Sequence, residues 1–201
     1  LRWWDYWLKG LDTGVMEEDM YRVWMQDYVK PSATLEHVPG RWINEPIWPS
    51  PNIETKTLYL GQSGLVANRR ESTTIKHSSP QFLGITGGRW CPYGMGGSSP
   101  DLAIDQREDD GRSICFDGAI LGEPLPILGA PTVNLRFSIN QLQGLIVVRL
   151  MDVAPDGTSK RVSYGLINLT HKKDHEHIKP LVPDEWSNAE ITLNDLAHRF
   201  A

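Results

Sequence analysis

Cysteine is scarce in this sequence: Cys91 and Cys115 are the only two among 201 residues. Two cysteines cannot form the disulfide framework that stabilises many small secreted domains. One bridge between them stays open as an alternative, but two buried free thiols are the favoured interpretation. We therefore expect a hydrophobic core to stabilise the fold, and the chain is long enough for one domain, or for a domain with a short appendage.

Excess positive charge and long apolar runs are also lacking. The formal net charge is -5, so the basic surface typical of nucleic-acid-binding proteins is not expected. No apolar run approaches the roughly 20 residues of a membrane-spanning helix. No secretory leader pattern is present either. The sequence therefore predicts no nucleic-acid partner, no membrane partner and a cytoplasmic location.

The Gly-x-Ser-x-Gly motif that holds the nucleophile of many serine hydrolases is absent. Its nearest approach is Gly61-Gln-Ser63-Gly64, which no helical pattern follows, and we interpret it as a turn. No other serine, histidine and aspartate form a recognisable catalytic set. We expect no catalytic residue and no cofactor in this chain.

Two short polar motifs have both a functional and a structural interpretation. His171, His175 and His177 lie close together, and an i, i+2 spacing can place two imidazoles on one side of a strand, as some zinc sites require. Their neighbours are strongly hydrated and a third ligand is missing, so we predict a solvated loop and no metal. Asn168-Leu-Thr170 fits the glycosylation pattern, but it ends an apolar segment and we interpret it as chance.

Strand patterns dominate the chain. Glycine, proline and aspartate turns separate them at near-regular spacing, which is typical of an antiparallel β-sandwich. A short helix is predicted over residues 1–9, with Gly10 as its C-cap, and an irregular connection over residues 30–52. Residues 193–201 are expected to complete no strand, so the sandwich is predicted to be truncated at its C-terminus. The predicted strands cover residues 21–25, 55–60, 113–116, 132–139, 145–153, 161–169 and 190–193.

Tryptophan is abundant and concentrated near the start of the chain. Trp3, Trp4 and Trp7 present aromatic surface on nearly every side of one short helix. A single sandwich covers only one face of such a helix, and a helix this short is unstable without packing. We therefore predict that residues 1–20 are a helix and linker that contact a second domain or a second copy of the chain, and that residues 21–201 form the sandwich.

Two loop segments are candidates for function. Residues 84–100, which we call the glycine loop, are rich in glycine and contain Trp90 and Tyr93. Long loops with embedded aromatic residues are often functional. The charged segment that begins Asp105-Gln106-Arg107 is either an exposed turn or a buried Asp105–Arg107 network that pins a long loop to the sheet. The residue types alone support these two interpretations equally.

Six short segments, in order along the chain, resemble segments of the cocaine-esterase family of serine hydrolases, which includes X-prolyl dipeptidyl-peptidases and α-amino-acid ester hydrolases. The first two are similar to the family's WLKG-x-DTG and W-x-x-E-x-x-WP segments, and the last to its DVxPDG hairpin. The segments are Trp7–Gly14, Arg41–Pro49, Thr57–Leu60, Gly87–Gly88, Asp105–Arg107 and Asp152–Gly157.

This resemblance implies an all-β, jelly-roll (galactose-binding-like) β-sandwich with a short N-terminal helix and long irregular loops. In the family such a domain packs on a catalytic α/β-hydrolase domain, which carries the serine, aspartate and histidine that hydrolyse esters or X-Pro peptides. No catalytic residue therefore carries over to this chain, and the chain alone is expected to be inert.

The resemblance also implies that the glycine loop helps to shape the acyl pocket, so that Arg89, Trp90 and Tyr93 are substrate-pocket candidates. Structural or interface roles are expected for Trp3, Trp4, Trp7, Trp42, Trp48, Asp105 and Arg107. The alternative function is an independent carbohydrate-binding module, because jelly rolls often bind sugars on exposed aromatic rings. The position of the tryptophans favours the first function.

Overall fold

The computed structural model describes residues 1–62, 64–89 and 102–200. Within these ranges the fold is mostly β, as predicted, with one helix of two turns at the start. The helices are α1 (Arg2–Lys9) and the single-turn α2 (Arg107–Asp110). The strands are β1 (Tyr21–Asp27), β2 (Gly40–Glu45), β3 (Tyr59–Gly61), β4 (Gly64–Val66), β5 (Leu125–Gly129), β6 (Thr132–Phe137), β7 (Leu145–Val153), β8 (Ser159–Asn168), β9 (Ser187–Thr192) and β10 (Leu196–Phe200).

The strands pair into one four-stranded sheet and three two-stranded ribbons. The larger sheet has the order β2-β1-β10-β5, and the ribbons pair β3 with β4, β6 with β9 and β7 with β8. All pairs are antiparallel except β1 and β10, which run parallel. The chain is an all-β sandwich protein with a short N-terminal helix, and its jelly-roll connectivity stays a prediction.

Close packing joins the β7–β8 ribbon to the segment that links β9 and β10. A Cβ atom at Gly165 of β8 would lie 2.6 Å from the carbonyl oxygen of Thr192, so only glycine permits this approach. The Oγ of Ser163 donates to the carbonyl of Asn194 at 2.7 Å. Most of the buried apolar side chains lie in this half of the chain: Leu169, Ala189, Ile191, Leu193, Leu196 and Phe200, joined by Met25 of β1.

A β-bulge interrupts the β7–β8 pairing. Leu150 pairs with Ser163, whereas the next residue, Met151, pairs with Arg161. Val162 is therefore an extra residue on β8 with no partner. Because a bulge shifts the alternation of side chains, Arg161 comes to the same face of the ribbon as Tyr164.

Three expectations about the strands are wrong. Residues 113–116 form no strand: Ser113 closes the turn that follows α2, and residues 114–116 are irregular. The irregular connection of residues 30–52 contains β2, which pairs with β1 over its whole length. Residues 193–201 do contribute a strand, since β10 lies between β1 and β5.

No helix within the described ranges has the length and apolar character that crossing a bilayer requires.

Candidate functional site

The short helix α2 is tied to the start of the glycine loop by buried polar groups. Asp109 is 0% exposed; its carboxylate accepts hydrogen bonds from the backbone N–H of Gly84 at 3.1 Å and from the Oγ1 of Thr86 at 2.5 Å. Gln106, also fully buried, donates to the carbonyl of Thr86 at 2.7 Å. These bonds hold residues 84–86 against α2.

The same helix is bonded to the β7–β8 ribbon. Arg149 of β7 donates to the Oε1 of Gln106 at 3.0 Å and to the Oδ1 of Asp110 at 2.8 Å. Ser159 of β8 donates through its Oγ to the second carboxylate oxygen of Asp110 at 2.6 Å. Helix α2 therefore joins the glycine loop to the sheet.

Asp105 and Arg107, the pair considered in the sequence, lie at the edge of this network. Arg107 donates to the Oδ2 of Asp105 at 2.8 Å, and Asp105 also accepts from the backbone N–H of Ser159 at 3.1 Å. The Arg107 side chain is 59% exposed. The more buried hydrogen bonds of the network are made by Gln106, Asp109 and Asp110. Sequence reasoning did not select these three residues, because the only sign of them in the sequence is an acidic run after the Asp-Gln-Arg motif.

Two carboxyl groups of the network, those of Asp105 and Asp109, have a pKa below the ordinary value. The hydrogen bond from Arg107 lowers the pKa of Asp105 despite some burial. Burial by itself raises the pKa of Asp109, but hydrogen bonds from Thr86 and Gly84 outweigh it, so the pKa lies below its ordinary value. The network therefore presents anionic groups that are already hydrogen-bonded.

A cavity of about 320 Å³ opens beside α2, between the glycine loop and the β7–β8 ribbon. Its polar lining includes three arginines, and its apolar lining comes mainly from the ribbon. The lining residues are Leu83, Gly84, Gly87, Gly88, Arg89, Gln106, Ser113, Val147, Arg149, Arg161, Tyr164 and Leu166. We call it the arginine cavity.

The guanidinium of Arg161 packs on an aromatic ring in this cavity. Its Cζ lies 4.6 Å from the ring centroid of Tyr164, the geometry of a cation–π contact. It makes no hydrogen bond or ion pair with any residue in the described ranges. Burial lowers the pKa of Arg161; the Tyr164 side chain opposes this shift, and repulsion from Arg149 adds to it. A carboxylate bound here would relieve both effects.

Of the three substrate-pocket candidates, Arg89 lines the arginine cavity. Trp90 and Tyr93 lie outside the described residues, as do Cys91 and Ser63. Gly88 sets the direction of the backbone before Arg89: it has a φ of 75°, and a Cβ there would lie 2.6 Å from the carbonyl carbon of Leu102. The structure adds Arg149 and Arg161 to the cavity, which sequence reasoning missed because both lie in strands.

Helix α1 exposes its tryptophans. Trp3, Trp4 and Trp7 are 50%, 59% and 55% exposed, and no residue of α1 is buried. The ion pair between Arg2 and Glu18 at 2.5 Å holds the helix to the segment that follows it. We call the three tryptophans the aromatic face of α1.

Two further predicted interface residues lie on or near β2. Trp42 is 56% exposed; it packs edge-on against Trp24, and the guanidinium of Arg22 lies 4.8 Å from its ring centroid. Trp48 is 40% exposed and stacks on Tyr21 with ring centroids 4.5 Å apart. Each of these rings thus already has one face covered by this chain.

The histidine cluster is a surface loop. The Nδ1 atoms of His171 and His175 are 3.2 Å apart, and His177 contacts Asp174 at 3.2 Å. In the described part of the chain, no group of three potential ligands could hold a metal ion.

Asn168 and Cys115 have structural surroundings that bear on two predictions made from the sequence. Asn168 accepts hydrogen bonds from the backbone N–H and hydroxyl of Thr170, so its side chain caps the turn that ends β8. The expectation of a buried thiol is wrong for Cys115, which is free but exposed.

Comparison with known proteins identifies relatives of the whole fold. The chain is similar to the cocaine esterase of Rhodococcus sp. (strain MB1 Bresler), with 21% identity over 170 residues, covering 78% of this chain and 29% of the esterase. Among solved structures, it superposes on a CocE/NonD family hydrolase from Staphylococcus aureus with a TM-score of 0.70 at 15% identity, covering 98% of this chain and 34% of the hydrolase.

Two further structures have the same fold. An aminopeptidase from a marine sediment Thaumarchaeota archaeon gives a TM-score of 0.67 at 20% identity, covering 99% of this chain and 33% of the aminopeptidase. An α-amino acid ester hydrolase gives a TM-score of 0.62 at 24% identity, covering 80% of this chain and 30% of the hydrolase. The chain thus spans about a third of the length of these relatives.

One family model matches nearly the whole chain. It describes the X-Pro dipeptidyl-peptidase C-terminal non-catalytic domain, and it matches residues 13–201. The match includes every strand of the fold and both sides of the arginine cavity. This chain belongs to the family of X-Pro dipeptidyl-peptidase C-terminal non-catalytic domains.

Proposed function

We propose that this domain packs on the α/β-hydrolase domain of a serine hydrolase, in the same polypeptide, and helps to shape its acyl pocket. The parent enzyme would transfer an acyl group from an ester or an X-Pro peptide to water, with its serine, aspartate and histidine outside residues 1–201. Membership of the non-catalytic family supports this assignment, and so does the similarity to an esterase, an aminopeptidase and two other hydrolases.

The observation that carries the packing proposal is the aromatic face of α1. Three neighbouring tryptophans, each at least half exposed, form an apolar surface that this chain leaves uncovered, and such surfaces commonly mark partner sites. Residues 1–20 would then be the helix and linker at the domain junction, and residues 21–201 the sandwich. A second copy of the chain is the other occupant that this surface would accept.

The glycine loop would supply the contribution to the acyl pocket. Gly87 and Gly88 lead into Arg89, and buried hydrogen bonds to α2 fix the backbone just before them. A loop pinned on one side can place side chains accurately at a neighbouring site. Arg89, Trp90 and Tyr93 stay the candidates for that wall.

Carbohydrate binding is the weaker alternative. A sugar-binding site needs an aromatic ring with a free face. Trp42 has Arg22 over one face of its ring, and Trp48 is stacked on Tyr21 through one face, so each ring offers only its opposite face to a sugar. Saturable binding of a sugar in isothermal titration calorimetry would favour this alternative.

The test uses the intact polypeptide that contains this domain. It should hydrolyse p-nitrophenyl esters or Ala-Pro-p-nitroanilide, and replacing Trp3, Trp4 and Trp7 together by serine should lower both its melting temperature and its kcat/KM. The matched control is Trp186→Ser, which changes a half-exposed tryptophan far along the chain. An intact polypeptide without such activity, or equal effects of both changes, would contradict the proposal. Cell fractionation of the same polypeptide tests the predicted cytoplasmic location.

A further inference from the structure

The two strand arginines of the arginine cavity differ in their partners. Arg149 donates to Gln106, Asp110 and the Oγ of Ser113. The guanidinium of Arg161, on the neighbouring strand, lies over the ring of Tyr164. It makes no hydrogen bond or ion pair with any described residue. Of these two strand arginines, Arg149 is thus paired with a carboxylate, and Arg161 is not paired with one among the described residues.

An uncompensated charge beside apolar walls is unfavourable, because the surroundings solvate it poorly. Two carboxylates of the network, Asp109 and Asp110, already have other hydrogen-bond partners. Asp110 is bonded to Arg149 and Ser159, and Asp109 to Gly84 and Thr86. A ligand that brings its own negative charge would compensate Arg161.

The bulge in β8 is what places this charge in the cavity. With regular pairing, Val162 would share a face with Tyr164, and Arg161 would point to the opposite face. The extra residue shifts the alternation, so that Arg161 faces the cavity instead. Bulges often re-aim a side chain next to a functional site.

The walls determine what else the ligand carries. Val147 and Leu166 face each other across the ribbon and are 59% and 49% exposed, although both are apolar. The cavity volume of about 320 Å³ lies at the lower end of the range of roughly 300–1,000 Å³ usual for small-molecule sites. This combination fits a small ligand with a charged end and a short apolar body.

We propose that the arginine cavity binds a small carboxylate that carries a short apolar chain. The carboxylate pairs with the guanidinium of Arg161, which presents two parallel N–H donors to such a group. The apolar chain lies against Val147 and Leu166. This inference goes beyond the proposed function, because binding requires only the residues of this chain and no hydrolase domain.

Isothermal titration calorimetry of the 201-residue chain tests the site, with hexanoate as the probe. Hexanoate should bind saturably at one site per chain, whereas hexanamide, which has the same carbon chain without the charge, should bind at least about tenfold more weakly. Inorganic phosphate, which has charge but no apolar chain, should also bind more weakly than hexanoate.

The variant is Arg161→Gln, which should reduce hexanoate affinity by about tenfold or more. Its matched control is Arg136→Gln. Arg136 also lies over an aromatic ring, with its Cζ 5.0 Å from the ring centroid of Trp186, but it does not line the arginine cavity. The control should leave hexanoate binding unchanged.

Three results would overturn the proposal: no saturable binding of hexanoate by the wild-type chain, equal binding of hexanoate and hexanamide, or equal losses in the two variants. The first two use only the wild-type chain, so they hold even if Arg161→Gln fails to fold. Binding of hexanoate by a chain whose parent polypeptide lacks hydrolase activity would uphold this site and contradict the proposed function.

Discussion

Asp152 and His198 form a buried pair that joins the β7–β8 ribbon to the four-stranded sheet. The Oδ2 of Asp152 lies 2.7 Å from the Nε2 of His198, and the two residues are 5% and 2% exposed. Lys160, the cross-strand partner of Asp152 on β8, lies on the same face of the ribbon. The carboxylate of Asp152 thus bonds a histidine of another strand, whereas the neighbouring Nζ of Lys160 makes no hydrogen bond among the described residues.

Asp152→Ala should destabilise the domain by about 3 kcal/mol, because it leaves the buried side chain of His198 without its partner. The free energy of unfolding in urea measures this loss. The control Asp19→Ala, at an exposed position, should change it by less than about 0.5 kcal/mol. Similar losses in both variants would show that the buried pair contributes nothing special.

Lys160→Met should stabilise the domain at neutral pH, by about 1 kcal/mol. The Nζ of Lys160 is buried without a hydrogen-bond partner among the described residues, and a buried donor left unsatisfied costs about 1–3 kcal/mol. Burial lowers the pKa of Lys160, although Asp152 opposes this. The unfolded chain then binds more protons than the folded chain between the lowered pKa and about 10.4, so wild-type stability rises with pH in that window.

Urea unfolding from neutral pH to about pH 10 measures both effects of Lys160→Met. The gain over the wild type should shrink as the pH rises through this window, since the wild-type lysine becomes neutral in both states. Lys56→Met, at an exposed position, is the matched control and should give a constant difference. A pH-independent gain for Lys160→Met would contradict the explanation.

Asp109→Asn should lower the free energy of unfolding by about 2 kcal/mol at neutral pH, because two hydrogen bonds to a buried carboxylate are weakened. The pKa of Asp109 lies below its ordinary value in the folded chain. Its contribution is therefore present above the unfolded pKa of about 3.9, and it is lost as the pH falls through the lower folded pKa. The variant should lose less stability than the wild type on acidification, which thermal melting across that range measures.

Removal of residues 1–18 should leave the sandwich folded. Helix α1 buries none of its residues, so the loss in thermal stability should be small, and any self-association seen by analytical ultracentrifugation should decrease. Trp186→Ser is the control, since it removes a half-exposed tryptophan elsewhere. Unfolding of the shortened chain would mean that the aromatic face is part of this domain's own core.

The 201-residue chain should not hydrolyse p-nitrophenyl esters or Ala-Pro-p-nitroanilide, because it has no nucleophile elbow. Release of p-nitrophenol or p-nitroaniline above the buffer rate measures this. Ser63→Ala controls for the nearest elbow-like sequence and should match the wild type. Turnover that survives repurification and is lost in Ser63→Ala would refute the prediction.

Elements with a strong local pattern were predicted well from the sequence. The predicted strand over residues 145–153 coincides with β7, and the predicted helix over residues 1–9 differs from α1 by one residue. Continuous apolar runs and helical spacing of aromatic residues carry that information within a few residues. The resemblance added the family, which six short motifs in order were enough to identify.

Elements that depend on distant partners were missed. The segment of β10, Leu-Ala-His-Arg-Phe, has two polar residues in five, and its buried histidine is hydrogen-bonded to Asp152, which lies 46 residues away. In the site, the position of Arg161 depends on the bulge, and the bulge is a property of the register between β7 and β8. Neither the partner of His198 nor the register that places Arg161 can be predicted from the pattern of neighbouring residues.

The parallel pairing of β1 with β10 has a consequence for synthesis of the protein. Asp27 and Arg199 form an ion pair at 2.7 Å across a separation of 172 residues. Chains grow from the amino terminus at about 5–20 residues per second, so β1 waits many seconds with one edge open while the ribosome makes the rest. An open edge is a template for pairing with other chains, and such distant pairing is also slow to form. The nascent chain should therefore depend on a chaperone at this edge more than a protein built from adjacent hairpins does.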